Sequence, residues 1–370
     1  MKVCFVSKHY PPYAGGLENR VRDLGGWLIG RGVGVVVLTS HEGGTRGREV
    51  VDGVEVRRSY PWLSLFNAPF LPGTLLGLLR EDYDLVDVNL PDPFGGLFAL
   101  AASVLRGKPL TVTYHADIVR GGLLHLPFKL LYRPFEWLLL SRASRVFVTS
   151  PDYAASSPSM RGFMGKVVVA PSFIDPSKYH PGVDGRPVRS RFPGRKIVLF
   201  VGRLVPYKGV DVLLEAASKV DAVFLIVGEG PMEAALRGKS HGLSNVAFEG
   251  RVGDDLLSSY YGGCDVLALP SVTRQEAFGL VLVEAMACGR PVVSSGFSGM
   301  PYVVGDAGLL VEPGDSKALS EALNRILSDP GLASELGGRG VCRVRELFTR
   351  DVVCEKIFSV YKSLVLRIKR

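Results

Sequence analysis

Two series of short runs rich in Val, Ile, Leu and Phe follow one another along the chain, and helix-compatible segments separate the runs. The first series predicts strands at Lys2 to Val6, Val33 to Thr39, Val54 to Arg57, Leu85 to Val88, Leu110 to Tyr114, Arg145 to Thr149 and Val167 to Ala170. The second predicts them at Ile197 to Val201, Val223 to Val227, Val246 to Phe248, Val266 to Leu269, Pro291 to Ser294 and Gly308 to Val311. Strands that alternate with helices close into a doubly wound parallel sheet, because a parallel connection needs a crossover and a helix supplies it. The fold class is therefore α/β with two Rossmann-like domains. Pro176, Pro181, Gly182, Gly185, Pro187, Pro193 and Gly194 crowd the stretch between the series, which reads as a linker over 176–195. The expected domains are 1–175 and 196–352, with a C-terminal helical segment at 353–370.

A chain of 370 residues with 47% hydrophobic residues is long enough to bury two such cores. Its five cysteines (Cys4, Cys264, Cys288, Cys342 and Cys354) are scattered without a CxxC pair, which argues against a disulfide framework and a zinc site. The opening Met1 to Val6 runs directly into a strand without the apolar core of a signal peptide, so a cytoplasmic location is expected. The net charge of +8 is unevenly divided. Residues 1–195 pooled with 353–370 carry +12, and 196–352 carry −4. No zinc finger or aromatic-studded RNA-binding strand accompanies the basic half, so nucleic acid is not the expected partner. An anionic membrane surface or a phosphate-bearing acceptor is more economical.

Ligands of open α/β sheets bind beyond the carboxyl ends of the strands, which directs attention to the residues that follow each run. Pro11-Pro12-Tyr13-Ala14-Gly15-Gly16-Leu17-Glu18 follows the first, and its glycine pair lets backbone approach a ligand before a helix begins. No GxGxxG fingerprint is present there. Val201-Gly202-Arg203 with Lys208-Gly209 follows the first strand of the second series, where Arg203 and Lys208 could neutralise a diphosphate. His115 and Asp117 occupy another strand end, a position where a lone histidine is more often structural than catalytic. The most informative stretch is Glu276-Ala277-Phe278-Gly279-Leu280-Val281-Leu282-Val283-Glu284, continuing to Gly289-Arg290-Pro291. Leu280, Val283 and Ala287 give helical spacing, Gly289 a stop, and Pro291 a bar to continuation. The free N–H groups at that helix start favour an anion. Eight helical residues rise about 12 Å, so Glu276 and Glu284 are expected to meet separate parts of an elongated ligand such as a nucleotide-sugar.

Taken in order, Pro-Pro-x-x-Gly-Gly-x-Glu, His115 with Asp117, Val201-Gly202-Arg203 with Lys208-Gly209, Gly228-Glu229-Gly230-Pro231, Asp265 to Ser271, and Glu276 through Pro291 resemble glycosyltransferase family 4 over essentially the whole chain. The resemblance implies the GT-B architecture, two Rossmann-like domains facing a cleft, with a C-terminal helix around Phe358 to Ile368 returning to the first. It implies a nucleotide-sugar donor, metal-independent transfer with retention, and no cofactor. It further implies that Glu276 contacts sugar hydroxyls, that Phe278, Gly279 and Leu280 present backbone amides, and that Glu284 holds the ribose. Arg203 and Lys208 would grip the diphosphate, Gly15 and Gly16 would close over it, His115 would contact the transferred sugar, and Arg251 with Val252 would meet the base. The chain departs from the family pattern at Ser298-Gly299-Met300-Pro301-Tyr302 and at Pro171 to Asp175, and Thr273-Arg274-Gln275 before Glu276 bears on the sugar pocket. GDP-mannose, UDP-glucose and UDP-N-acetylglucosamine all remain open as donors.

The acceptor side is expected in the first domain. Ser59 to Leu79 carries no charge, yet Pro61, Pro69 and Pro72 argue against a transmembrane helix and for an apolar loop. Leu123 to Arg142 sets Lys129 and Arg133 among Phe128, Leu130, Leu131, Phe135, Trp137 and Leu138, as either a half-buried helix or a membrane contact. A lipid-linked or glycan acceptor at the cytoplasmic membrane face follows from this pattern. A sugar-nucleotide epimerase of the same architecture and a non-catalytic nucleotide-sugar sensor are the competing readings. The Glu276–Glu284 motif with the Gly15-Gly16 loop favours the transferase.

Overall fold

A computed structural model describes residues 1–13, 15–65, 68–117 and 126–368. Two compact units divide the chain, Met1–Pro171 with Arg350–Arg370, and Ser172–Thr349. In the first, β1 (Lys2–Val6), β2 (Gly34–Ser40), β3 (Arg48–Val51), β4 (Val54–Ser59), β5 (Leu63–Leu65), β6 (Ala68–Phe70), β7 (Leu85–Leu90), β8 (Leu110–Tyr114), β9 (Arg145–Val148) and β10 (Val167–Val169) follow in sequence. Eight of them form a sheet in the order β10-β9-β8-β7-β1-β2-β4-β3. All its pairings are parallel except β3 with β4. The second unit has β11 (Ile197–Val201), β12 (Val223–Val227), β13 (Val246–Gly250), β14 (Val266–Leu269), β15 (Val292–Ser295) and β16 (Gly308–Val311), all parallel, in the order β13-β12-β11-β14-β15-β16. Central strands such as β11 and β12 read as unbroken apolar runs because helices cover both faces of the sheet.

Both sheets change direction once. In the first unit the reversal lies between β1 and β7, and in the second between β11 and β14. Loops from adjacent strands diverge to opposite faces at such a point and leave an opening at the carboxyl edge. Residues after β1, β7, β11 and β14 therefore line the two places where each unit can take a ligand.

Residues 176–195 are not a free linker. They belong to the second unit, where Arg189 pairs with Asp265 at 2.9 Å, Arg191 with Glu249 at 2.7 Å, and Val188 is buried. The proline and glycine density reflects close packing: a Cβ at Gly185 would fall 2.3 Å from the Gly262 carbonyl. The chain passes between units at Pro171/Ser172 and again at Thr349/Arg350, and Ile174 bridges Thr349 beside these points. Counted by unit, the first carries 25 basic and 16 acidic residues, net +9, and the second 19 and 20, net −1.

The uncharged run from Ser59 to Leu79 is not a loop. It forms the β5–β6 hairpin and the helix Pro72–Arg80, with Phe66 and Asn67 outside the described residues. Leu126–Arg142 is helical, whereas Leu123 and the side chains of Phe128, Lys129, Leu130 and Leu131 lie outside the described residues. The helix Arg350–Ile368 joins the first unit through a buried link: Tyr361 donates to Asp87 Oδ2 at 3.0 Å, and Thr111 and Thr113 donate to the same carboxylate at 2.7 and 2.9 Å. Burial raises the Asp87 pKa to about 6 against the pull of these three hydroxyls.

Candidate functional site

Nine of the twelve candidate residues lie in the second unit, at or near the carboxyl edge of its sheet. Gly202 and Arg203 follow β11, and a short 3-10 turn, Pro206–Lys208, brings the lysine back over the strand end. Pro270 and Ser271 follow β14, and the loop 273–278 leads into the helix Leu280–Ala287. Lys208 Nζ stands 2.5 Å from Glu276 Oε2, with both side chains only 11% exposed. Ser271 Oγ donates to the same carboxylate oxygen at 3.2 Å. Sixty-eight positions separate the lysine from the glutamate in sequence, and no local pattern announces the pair. Taking two charges out of water is costly unless each answers the other, so each of these side chains depends on its partner.

Gly279 caps the helix Leu280–Ala287 at φ 76°, a left-handed conformation that lets the chain turn from the loop into the helix within one residue. The helix ends as its sequence indicated. Arg290 N–H bonds the Ala285 carbonyl and Gly289 N–H that of Met286, a Schellman closure with Gly289 at φ 72°. Glu284 lies on the second turn, half-buried, and accepts a 2.5 Å hydrogen bond from Tyr261 Oη. Burial raises the Glu284 pKa, and the tyrosine hydroxyl partly opposes the shift. Glu276 and Glu284 thus have separate partners. Phe278 is buried against Phe348, with ring centroids 5.8 Å apart. The Arg203 side chain is exposed and has no hydrogen-bond or ion-pair partner among the described residues. Arg251 and Val252 follow β13, and Arg251 N–H reaches Glu229 Oε1 at 3.3 Å.

The remaining candidates lie in the first unit. Gly15 is the N-cap of the helix Gly16–Gly30 after β1, and Glu18 on its first turn is buried. His115 follows β8, with Nε2 3.1 Å from Asn89 Oδ1 at the end of β7, a hydrogen bond in the tautomer that carries its proton on Nε2. Asn89 Nδ2 is buried without a partner among the described residues. Burial and then the positive charge of Arg20 hold the His115 pKa well below the usual histidine range. The imidazole is therefore neutral and can accept through Nδ1.

Sequence reasoning missed the residues that position these groups. Tyr114 Oη lies 2.8 Å from Asp117 Oδ1 and 3.2 Å from Glu136 Oε1, Ser157 donates to Asp117 at 2.6 Å, and Ser159 donates to Glu136 at 2.8 Å. Two carboxylates share one phenolic proton directly behind the His115 turn. Ser271 stood inside a quoted motif without a role, and Tyr261 and Asn89 carried no spacing signal at all.

A depressed histidine pKa has a sign in stability. Below about pH 6.5 the unfolded chain takes up a proton at His115 that the folded chain refuses, so folding weakens as pH falls. Urea unfolding of the wild type and of His115→Gln between pH 5 and pH 7.5 should differ by a slope approaching about 1.4 kcal/mol per pH unit on the acid side. Parallel curves would show that the histidine titrates normally.

Two Rossmann-like units in succession, each with its ligand edge at a topological switch point, are the components of the GT-B fold. Comparison with known proteins agrees: residues 14–178 match the family described as Glycosyltransferase Family 4, and residues 195–329 match Glycosyl transferases group 1. The O-antigen chain mannosyltransferase C of Escherichia coli is 29% identical over 99% of both chains. The D-rhamnosyltransferase WbpZ of Pseudomonas aeruginosa is 34% identical over 73% of this chain and 71% of its own. The solved structure of a sucrose-phosphate synthase from Thermosynechococcus elongatus superposes with a TM-score of 0.79 at 27% identity, covering 99% of each chain. The chain belongs to the family 4 glycosyltransferases, and its activity is that of a glycosyltransferase.

Proposed function

We propose that the protein transfers a sugar from a nucleotide-diphosphate donor, with retention of configuration and without a metal ion, to a lipid-linked or glycan acceptor at the cytoplasmic face of the membrane. The observation that carries this reading is the Lys208–Glu276 pair at the β11/β14 edge, with exposed Arg203 beside the same strand end. A pyrophosphate arriving there offers Lys208 a doubly charged partner, and Arg203 adds a bidentate donor. Glu276, released from its lysine, is then free to accept from sugar hydroxyls, and Ser271 keeps its carboxylate oriented. Glu284 takes the ribose hydroxyls. The amides of Phe278, Gly279 and Leu280 face the donor at a helix start that favours anions. Arg251 and Val252 meet the base through backbone, and the family resemblance gives Gly15, Gly16 and neutral His115 of the first unit the roles stated above.

In the reaction the bond from the anomeric carbon to the phosphate oxygen breaks as the bond to the acceptor oxygen forms on the same face. The acceptor proton passes to the departing phosphate. The two cations stabilise the charge that develops on the pyrophosphate, in the place a divalent ion takes in other enzymes. The relative named for O-antigen chain mannosylation supports a glycan acceptor, and the +9 charge of the first unit supports an anionic surface or acceptor there.

Thermal denaturation with a panel of GDP- and UDP-sugars, followed by transfer assays with and without EDTA, tests the proposal. One donor should stabilise the protein by about 2.7 kcal/mol at a hundredfold excess over its Kd, and EDTA should leave turnover unchanged. Loss of turnover on chelation, or no stabilisation by any nucleotide-sugar, would contradict it.

A further inference from the structure

The first unit covers one stretch of its sheet with three helices, Pro72–Arg80, Pro93–Arg106 and Leu126–Arg142, the middle one packed against both neighbours. The outward face of this layer is apolar. On the middle helix Leu97, Ala101, Val104 and Leu105 recur at i, i+4, i+7 and i+8, a stripe that normally points into a core. Here it meets solvent, with Leu105 70% exposed. Phe135, Trp137 and Leu138 extend the exposed surface on the next helix, and Trp137 is 62% exposed. Beyond the other end, Trp62 of the hairpin region is 78% exposed and stands edge-on to Phe70, which packs in turn on Phe94 and Phe98 of the middle helix. The hairpin follows the carboxyl end of β4, and β4 runs parallel to β2 and, through it, to β1, β7 and β8. The apolar strip therefore starts at the edge where His115 follows β8 and runs the length of the helices.

The charges on this layer have one sign. Among the described residues of the three helices the exposed ionic side chains are Arg80, Arg133 and Arg142. Glu136 is the sole carboxylate in their sequences, and it is buried. We infer that this face is the surface by which the protein lies on an anionic lipid bilayer, the apolar side chains entering the headgroup boundary and the arginines meeting lipid phosphates. Apolar area and cationic charge together are what interfacial binding to anionic lipid requires. A second copy of the chain fits poorly, because self-association through this face would bring arginine against arginine with no exposed carboxylate between them. The inference deepens the reading above by naming the surface and its partner, and its surface argument holds whatever sugar the enzyme transfers.

Flotation of the full chain with phosphatidylcholine vesicles, and with the same vesicles carrying one-third phosphatidylglycerol, tests it. The protein should rise with the anionic vesicles at low salt and be largely released at high salt. Leu105→Glu with Trp137→Glu should lower the bound fraction at least tenfold. Arg133→Gln with Arg142→Gln should abolish the preference for anionic over neutral vesicles. Both double variants replace exposed residues and should keep the stabilisation by nucleotide-sugar that the wild type shows. No flotation on anionic vesicles at low salt, or undiminished flotation of the double glutamate variant, overturns the inference. So does a concentration-dependent dimer that this variant abolishes. Normal flotation without stabilisation by any nucleotide-sugar would instead sink the donor-binding reading and leave the membrane surface standing.

Discussion

Replacing Glu276 with alanine is expected to reduce sugar transfer at least about a hundredfold, equivalent to about 2.7 kcal/mol of transition-state stabilisation. The carboxylate is buried, is held by Ser271 and Lys208, and is the proposed grip on the transferred sugar. Far-UV circular dichroism should be unchanged, because the residue lies in the loop before the helix Leu280–Ala287 and not within it. Lys208→Ala should be comparably damaging for a different reason: the pyrophosphate loses a cation and Glu276 loses its partner. If the pair acts as a unit, the double variant will be no worse than the poorer single variant by more than about threefold, since coupled groups do not add. Normal transfer by Glu276→Ala would exclude the sugar grip, and simple additivity would separate the two residues.

Gly209→Ala is expected to be among the most damaging small substitutions in the second unit. Gly209 sits at φ 65° between the turn that carries Lys208 and the helix Val210–Ala217. An alanine there meets two penalties. The left-handed conformation costs a non-glycine residue about 1–2 kcal/mol, and the new Cβ would stand 2.0 Å from the Pro270 carbonyl oxygen. That oxygen is backbone directly after β14, so the turn must move and Lys208 with it. A loss of about 3 kcal/mol or more in urea unfolding should accompany a fall in nucleoside diphosphate affinity. Gly238→Ala is the control. Its Cβ meets nothing within 4 Å on the helix Glu233–Lys239, and the substitution should stabilise the protein slightly. Equal behaviour of the two variants would show that the Gly209 corner is not constrained.

The readings that came through intact share a physical origin. Strand runs such as Ile197–Val201, Val223–Val227 and Val266–Leu269 are apolar because helices cover both faces of the sheet, so burial is written into consecutive residues. The end of the helix Leu280–Ala287 was legible because one glycine at a positive φ and one proline act within a single turn. The readings that changed depended on distant partners. Residues 176–195 look like a linker by composition, and only Asp265, Glu249 and Gly262 show that they pack into the second unit. The Ser59 to Leu79 run looked like a loop because its prolines discourage a long helix, while a three-residue hairpin strand such as β5 is too short to show a period.

By itself, the sequence determined the alternation of strands and helices, the family, and the identities of the groups available at each strand end, because local chain chemistry and short-range spacing decide these. Tertiary structure alone decided which charges face each other. Lys208 meets Glu276, Tyr261 meets Glu284, and Tyr114 meets Glu136 because crossover connections and the helices they carry bring separated parts of the chain side by side. It also decided which apolar stripe stays in water. Leu97 and Leu105 have the spacing of a core helix, and only the packing of their helix with its back to the sheet leaves them facing outward.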